Sequence, residues 1–423
     1  MSNSLFIKNI RAVDSELDTI TDVLIENGII SMVGQIHDCT ADEVIDGTGL
    51  VLFPSIFDMH VHFRDPGLTY KEDVLSGCEA ALAGGVTGVC AMPNTIPPCD
   101  NPETVRYITG KAADTGVDVY PVGCITSGMS GKRLCDYEAL KEAGCICISD
   151  DGRPVENAEM MRKALEESNE NGLLVISHCE DLSIIDGGIM NKGEISQKLG
   201  VKGMDRASED MITAREIVLA GSVGARIHIA HVSTEGSVEI IRCSKKHGVK
   251  VTCETAPHYF LLTDELLKKR DADYRMNPPL RTKRDVEAVI EGIKDGTIDC
   301  IITDHAPHAA QEKADFEKAP NGVVGLETSF AASLTGLYHT GHVSLNRIAE
   351  LMCVNPRKLL GLEIPAICEG KIADLMIADI NKEWVVQPEK LHSKSHNTVF
   401  KGMTLKGKPI ITISKGKIKY DER

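Results

Sequence analysis

His60 and His62 stand two apart, with Arg64 two residues beyond them. On an extended backbone alternate side chains share a face, so two imidazoles and a guanidinium are aimed at one point. Neutral imidazole is the commonest protein ligand for zinc, and a catalytic zinc site needs several ligands and one open position. A lone His-x-His also arises by chance on a polar strand. Its meaning depends on further ligands, and candidates stand at the ends of later apolar runs: Asn94, the pair Asp150-Asp151, His178, His231 and the pair Asp304-His305. Imidazole with carboxylate suits zinc, manganese, iron or cobalt better than magnesium or calcium, which take oxygen ligands. Four histidines (His60, His62, His178, His231) and two aspartates exceed the needs of one open tetrahedral ion. The surplus points to two ions, about 3.5–4 Å apart, sharing a bridging carboxylate and a bridging hydroxide, whose chemistry is metal-assisted hydrolysis.

Those residues must be carried to one place, and the pattern of the chain supplies the means. From residue 55 onward, short apolar runs alternate with amphipathic stretches, as in βαβ units on a parallel sheet. Eight such runs cover 55–58, 86–92, 118–125, 145–149, 173–177, 226–230, 250–254 and 298–303. Helices are predicted between them, among them 71–83, 102–115, 157–168, 205–220, 233–246 and 284–294. The expected fold is α/β, a (β/α)8 TIM-like barrel over 54–365, in which function sits at the C-terminal ends of the strands. An open doubly wound sheet is the alternative, but no Gly-x-Gly-x-x-Gly turn follows the first run. Both chain ends read as short strands separated by turn signals. Residues 1–53 and 366–423 are therefore expected to form one small β-sandwich module beside the barrel. The polar, charge-rich stretch 306–322 is long for a βα loop and has the character of a lid. Residues 345–362 read as a helix interrupted at Asn355-Pro356.

Composition narrows the class. With 42% hydrophobic and 26% charged residues, the chain is ordinary for a soluble globular protein. A net charge of −16 argues against nucleic acid or an anionic membrane as partner. No apolar stretch approaches the roughly 20 residues of a membrane span. The N-terminal stretch has no basic segment leading into an apolar run. Many of the 14 cysteines lie in apolar runs, and none forms a C-x-x-C pair. A cytoplasmic location with reduced thiols is expected.

The motifs carry a resemblance over nearly the whole chain. Asp58-Met-His-Val-His-Phe-Arg-Asp-Pro-Gly67, Met92-Pro-Asn-Thr95, Ser149-Asp-Asp-Gly152, Asp304-His-Ala-Pro-His308, Gly325-Leu-Glu-Thr328 and Gly370-Lys-Ile-Ala-Asp374 resemble the amidohydrolase superfamily. Within it they are most similar to the bacterial-type dihydroorotases, with Phe63–Gly67 and Met92–Asn94 the more specific segments. The resemblance implies reversible conversion of N-carbamoyl-L-aspartate to L-dihydroorotate and water in pyrimidine synthesis. It also implies two Zn²⁺ per chain, one held by His60 and His62 and the other by His178 and His231. Asp304 would complete the first site and act as general base and acid. Several relatives bridge their ions with a carboxylated lysine on the fourth strand, but that run has no lysine here. Asp151 matches the motif position of the bridging aspartate, with Asp150 as the competing assignment. Arg64 and Asn94 would bind the substrate carboxylate, while His62, Asn277, His308 and the backbone at Gly322 would make further substrate contacts. Asn321 departs from the apolar or aromatic residue often found before that glycine. His305, His258 and His228 are expected to be structural or to support the ligands. The assemblies to expect are a homodimer or a complex with aspartate transcarbamoylase. The rival readings are a hydantoinase, dihydropyrimidinase or allantoinase, and a non-catalytic scaffold with the dihydroorotase fold.

Overall fold

The computed structural model describes residues 4–37 and 39–423 of the chain. Eight short parallel strands form its centre. They are β1 Ile56–Val61, β2 Val86–Ala91, β3 Asp118–Pro121, β4 Cys147–Ile148, β5 Leu174–Ser177, β6 Ile227–Ile229, β7 Val251–Thr255 and β8 Cys300–Ile301. Parallel ladders join β1 to β2 and β2 to β3, and run from β4 through β5, β6 and β7 to β8. Two single bridges, Gly123 with Ile148 and His305 with Val61, join these two sheets at both ends. The result is a closed (β/α)8 barrel, as the eight apolar runs predict. Closure removes every exposed edge.

Alternation sorts the side chains of each strand. On β6, Ile227 and Ile229 pack outward with helix residues, whereas Ala230, just past the strand's end, packs inward with Phe57, Met59, Cys90, Cys147, Leu174 and Cys300. The barrel interior is therefore a filled core, and only the strand ends are free for chemistry. On β1 the pairing with β2 slips between Asp58 and Val61. Such irregularities re-aim side chains. Here Val61 joins the outward cluster, while His60 and His62 turn to the mouth.

The surrounding helices start where side chains can satisfy their first N–H groups. Asp73 caps Val74–Ala83 with Ser76 completing a capping box, Asn101 caps Pro102–Ala112, and Thr234 caps Glu235–Lys246. Near the C-terminal end, the expected break at Asn355-Pro356 is absorbed rather than made. The helix runs through a wider π-type turn at Glu350–Val354 into Asn355–Leu360, where Pro356 sits in the first turn and needs no N–H partner.

The two chain ends meet in one sheet. Val51–Pro54 pairs antiparallel with Leu375–Val385 and parallel with Ser4–Val13, linking strands from both termini into a single hydrogen-bonded path. Ile7, Ile10, Val23, Ile25, Leu52, Leu375, Ile377 and Ile411 fill one shared apolar cluster. Among the described residues, no helix is long and apolar enough to cross a membrane.

Candidate metal centre and active site

Two groups of potential ligands lie at the C-terminal rim, and they share one residue. His60, His62 and Asp151 form the first; Asp151, His178 and His231 form the second. All five are buried. Asp151 Oδ1 lies 3.4 Å from His60 Nε2, 3.2 Å from His178 Nδ1 and 3.5 Å from His231 Nε2. Asp151 Oδ2 lies 3.4 Å from His62 Nε2. Asp304 Oδ1 completes the ring, 3.2 Å from His62 Nε2 and 3.8 Å from His60 Nε2.

The other ring nitrogens fix what faces the centre. His60 Nδ1 is 2.7 Å from Glu254 Oε1, His62 Nδ1 is 2.8 Å from Asn94 Oδ1, and His178 Nε2 is 3.1 Å from Glu180 Oε2. Each of these partners is an acceptor, so that nitrogen carries the hydrogen and donates it. The opposite nitrogen then presents a lone pair to a carboxylate oxygen. Acceptor faces acceptor around Asp151, and His60 Nε2 and Asp151 Oδ1 are buried without a hydrogen-bond partner among the described residues. A cation is what satisfies both sides, so the residues present fit a metal. Charge points the same way. Burial disfavours charge on Asp151, but His60, His178 and His231 outweigh it and hold the carboxylate well below its usual range. Burial likewise opposes charge on His178, yet Asp151 and Glu180 outweigh it and draw positive charge to that ring, a proton on Nδ1 where no ion is bound and the metal where one is. The pocket's fixed carboxylates thus favour positive charge at its centre.

Asp150, the competing assignment, points elsewhere. Its carboxylate accepts from the backbone N–H groups of Ile125 and Thr126, 2.9 and 3.2 Å away, and from the Thr126 hydroxyl. Burial raises it to about 6. It caps the loop after β3, and Asp151 alone of the pair joins the ligand groups.

The mouth also holds positive charge. Arg64 is 8% exposed, with its Nε donating to Pro307 O at 3.3 Å and Nη2 3.4 Å from His308 Nε2. Burial lowers its pKa to about 10. His308 is also buried, with Lys71 Nζ 3.3 Å from Nδ1 and the Asn321 carbonyl 2.9 Å from Nε2. Burial, with Arg64 and Lys71 beside it, drives its pKa to about 2, so this imidazole is neutral. Asn277 Nδ2 donates to Glu180 Oε1 at 2.9 Å, which places Asn277 beside the His178 ligand group. Arg64, His231 and Asp304 all have positive φ, at 60°, 35° and 49°. Non-glycine residues avoid this region, and strain of this kind gathers at functional sites.

The 306–322 stretch is pinned over the mouth. Asn397 Nδ2 donates to Ala306 O and Gly322 O, and Gly322 N donates to Arg275 O at 3.0 Å. Asn321, the departure from the family pattern, accepts from Arg275 Nη2 at 3.2 Å. At Gly322, φ is 142°, and a Cβ there would meet Ala306 Cβ at 2.8 Å and His308 Cδ2 at 3.0 Å. Gly322→Ala is expected to cost about 1–3 kcal/mol by overpacking and to raise KM more than it lowers kcat. Thermal melting and steady-state kinetics on the variant check both effects.

His305 supports closure: its carbonyl accepts from His62 N at 2.8 Å, and its ring lies 3.4 Å from Glu72 Oε2. His258 is buried against Tyr259 and is pushed down by burial to about 4. Two acids that hold ligand imidazoles, Glu180 and Glu254, are absent from the residues singled out by sequence. Both had signals. Glu180 lies two residues after His178, the same spacing that marks His60 and His62, and Glu254 is an acid inside an apolar strand.

A closed (β/α)8 barrel with imidazoles and aspartates converging on a buried centre defines a metal-binding hydrolase of the amidohydrolase type. The fold matches an L-hydantoinase from Arthrobacter aurescens with a TM-score of 0.88 at 26% identity, covering 100% of this chain and 97% of that one. It matches a dihydropyrimidinase from Brevibacillus agri with a TM-score of 0.88 at 24% identity, covering 100% and 95%. Residues 49–237 match the family model described as Dihydro-orotase-like. The chain is 48% identical over 423 residues to a dihydroorotase of Acetivibrio thermocellus, covering 99% of each. It is 49% identical over 425 residues to one of Trichlorobacter lovleyi, covering 99% of this chain and 100% of the other. The chain belongs to the dihydroorotase family.

Proposed function

We propose that this chain is a dihydroorotase. It hydrolyses the ring amide of L-dihydroorotate to N-carbamoyl-L-aspartate and, in pyrimidine synthesis, runs the reverse ring closure. The observation that carries this reading is Arg64. It is a buried guanidinium at the metal-binding mouth whose acceptor among the described residues is the Pro307 carbonyl; its Nη2 lies 3.4 Å from His308 Nε2, whose hydrogen is committed to the Asn321 carbonyl. Such a charge is matched to an anionic substrate, and dihydroorotate carries a carboxylate where hydantoin, dihydrouracil and allantoin do not. The dihydroorotases at 48–49% identity support the same substrate.

The proposed metal is a pair of Zn²⁺ ions, held by His60 and His62 on one side and His178 and His231 on the other, with Asp151 shared and Asp304 completing the first. Bound there, zinc supplies Lewis-acid polarisation of the substrate carbonyl and a water of lowered pKa. The chain's own residues do the rest. Asp304 takes the proton of the attacking water and returns it to the leaving amide nitrogen. Arg64 receives the carboxylate through paired charge-assisted bonds. Asn94 shares that contact through Nδ2, since its Oδ1 is committed to His62. Asn277 offers its Oδ1 to the substrate because Nδ2 is held by Glu180. His62 borders the substrate beside Asn94, and His308 and the Gly322 backbone close over the ring, His308 exchanging its Asn321 bond for the ligand. All these groups come from one chain. A cytoplasmic location fits the free state of all 14 cysteines. Native mass decides between a homodimer and a complex with aspartate transcarbamoylase.

Hydantoinase activity is the second reading, favoured by the solved structures of this fold. One experiment separates the two: metal per chain, measured beside hydrolysis of dihydroorotate, dihydrouracil, hydantoin and allantoin. Two zinc ions with selective turnover of dihydroorotate are expected. Preferred turnover of an uncharged ring overturns the substrate. Stripping the metal with a chelator is expected to remove at least 99% of the activity, about a 100-fold loss, and added zinc should restore it.

A further inference from the structure

We infer that Glu254 and His228 form a buried brace that holds His60 for its metal, making Glu254 a positioning residue for one of the two ion sites. The inference rests on the metal reading above. Glu254 lies on β7, one residue past the outward-packing Cys253, so it faces the barrel interior. It is 0% exposed, as are His60 and His228. An acid in an otherwise apolar interior needs full compensation. Both carboxylate oxygens find it: Oε1 is 2.7 Å from His60 Nδ1, and Oε2 is 3.1 Å from His228 Nε2. His228 Nδ1 is 2.8 Å from the Thr252 hydroxyl.

One assignment satisfies every group in this chain. The Thr252 hydroxyl donates to His228 Nδ1, His228 Nε2–H donates to Glu254 Oε2, and His60 Nδ1–H donates to Glu254 Oε1. Both imidazoles then turn an N–H to Glu254, and the ring nitrogen of the pair without a hydrogen-bond partner among the described residues is His60 Nε2, aimed at the centre. Thr252 and His228 thus fix Glu254, and Glu254 fixes both the rotation of His60 and its tautomer. A carboxylate is the strongest partner for this purpose, because a ligating imidazole becomes a better donor at its far nitrogen.

The braces are divided between the two ligand groups. His60 is held by the carboxylate of Glu254, whereas His62 is held by the neutral amide of Asn94. His178 is held by the carboxylate of Glu180, whereas His231 Nδ1 has no hydrogen-bond partner among the described residues. Each ion site therefore has one imidazole with a charged brace, and removing one brace should weaken one site.

The test is zinc competition against a chromophoric chelator on wild type, Glu254→Gln and Glu180→Gln, with zinc per chain read at each free-zinc level. Glu254→Gln keeps the volume and removes the charge. The expected result is a 10- to 100-fold weaker affinity at one ion per chain, the other unchanged. Glu180→Gln should weaken the opposite ion, so that the double variant weakens both. A merely structural role for Glu254 would lower the melting temperature of the metal-free protein and leave both affinities at the wild-type value, which overturns the inference. If Glu254→Gln does not fold, Glu254→Asp replaces it. That variant keeps the charge but withdraws it from His60, and two unaltered affinities would again overturn the brace. A wild-type protein that binds no zinc sinks the metal reading itself, a result distinct from either of these.

Discussion

Asp304→Asn is expected to lower kcat by about 10²–10⁴-fold in both directions, which is the range for removing a positioned general acid–base. That corresponds to about 3–5 kcal/mol of transition-state stabilisation. Asp304 is placed for the task. Its Oδ1 is 3.2 Å from His62 Nε2 and 3.8 Å from His60 Nε2, at the edge of the ligand ring. In the proposed mechanism a carboxylate there would reach both the attacking water and the leaving nitrogen, so that one group accepts the proton and then returns it. Asparagine has nearly the same shape and tolerates the left-handed backbone that Asp304 adopts at φ 49°. The variant should therefore fold and melt within about 1 kcal/mol of wild type. What it loses is the ability to take a proton. Asparagine is also a weaker metal ligand, so zinc per chain must be measured on the same sample at saturating zinc. Full occupancy with the expected loss of kcat assigns the proton transfer to Asp304. Full occupancy with wild-type kcat removes Asp304 from that role.

The fold was legible because its signals are local. Eight apolar runs with amphipathic stretches between them are what a closed parallel barrel requires of a sequence, and each run lies on or beside an observed strand. The His60-x-His62 pair was legible for the same reason, since alternation acts over two residues. The braces were not. Glu254 is 194 positions from His60, and no periodic pattern relates them. Only closure of the barrel brings β7 across from β1. The choice between Asp150 and Asp151 was likewise undecidable from alternation alone, because neighbours on a strand end face opposite ways and the sequence does not say which way is in. Geometry separates them by giving Asp150 the Ile125 and Thr126 amides. The 306–322 stretch reads as a free polar loop in composition. Its restraint comes from Asn397, about 75 residues after Gly322, whose amide ties both ends of the stretch together.

Arg64→Met should lower kcat/KM for dihydroorotate by about 30- to 3,000-fold and leave turnover of an uncharged ring such as dihydrouracil or hydantoin within a few-fold of its starting value. Losing one partner of a buried charge pair costs about 2–5 kcal/mol, and about 1.4 kcal/mol is a factor of ten. Methionine keeps most of the apolar stem, so packing is preserved while the charge and its donors are removed. Stability should move the other way. Arg64 is buried, and that burial depresses its pKa to about 10, outweighing the favourable pull of Asp304, Asp151 and Glu312. In the absence of substrate the guanidinium is a cost to the fold, so the variant should melt at the same temperature as wild type or higher. A gain in stability with a loss of activity is the usual signature of a residue kept for function. The decisive quantity is the ratio of kcat/KM for dihydroorotate to that for the uncharged ring. If the ratio collapses, Arg64 reads the carboxylate and sets the substrate. If both activities fall together, Arg64 supports the site as a whole, and the preference for dihydroorotate must come from Asn94, Asn277 and the stretch that ends at Gly322.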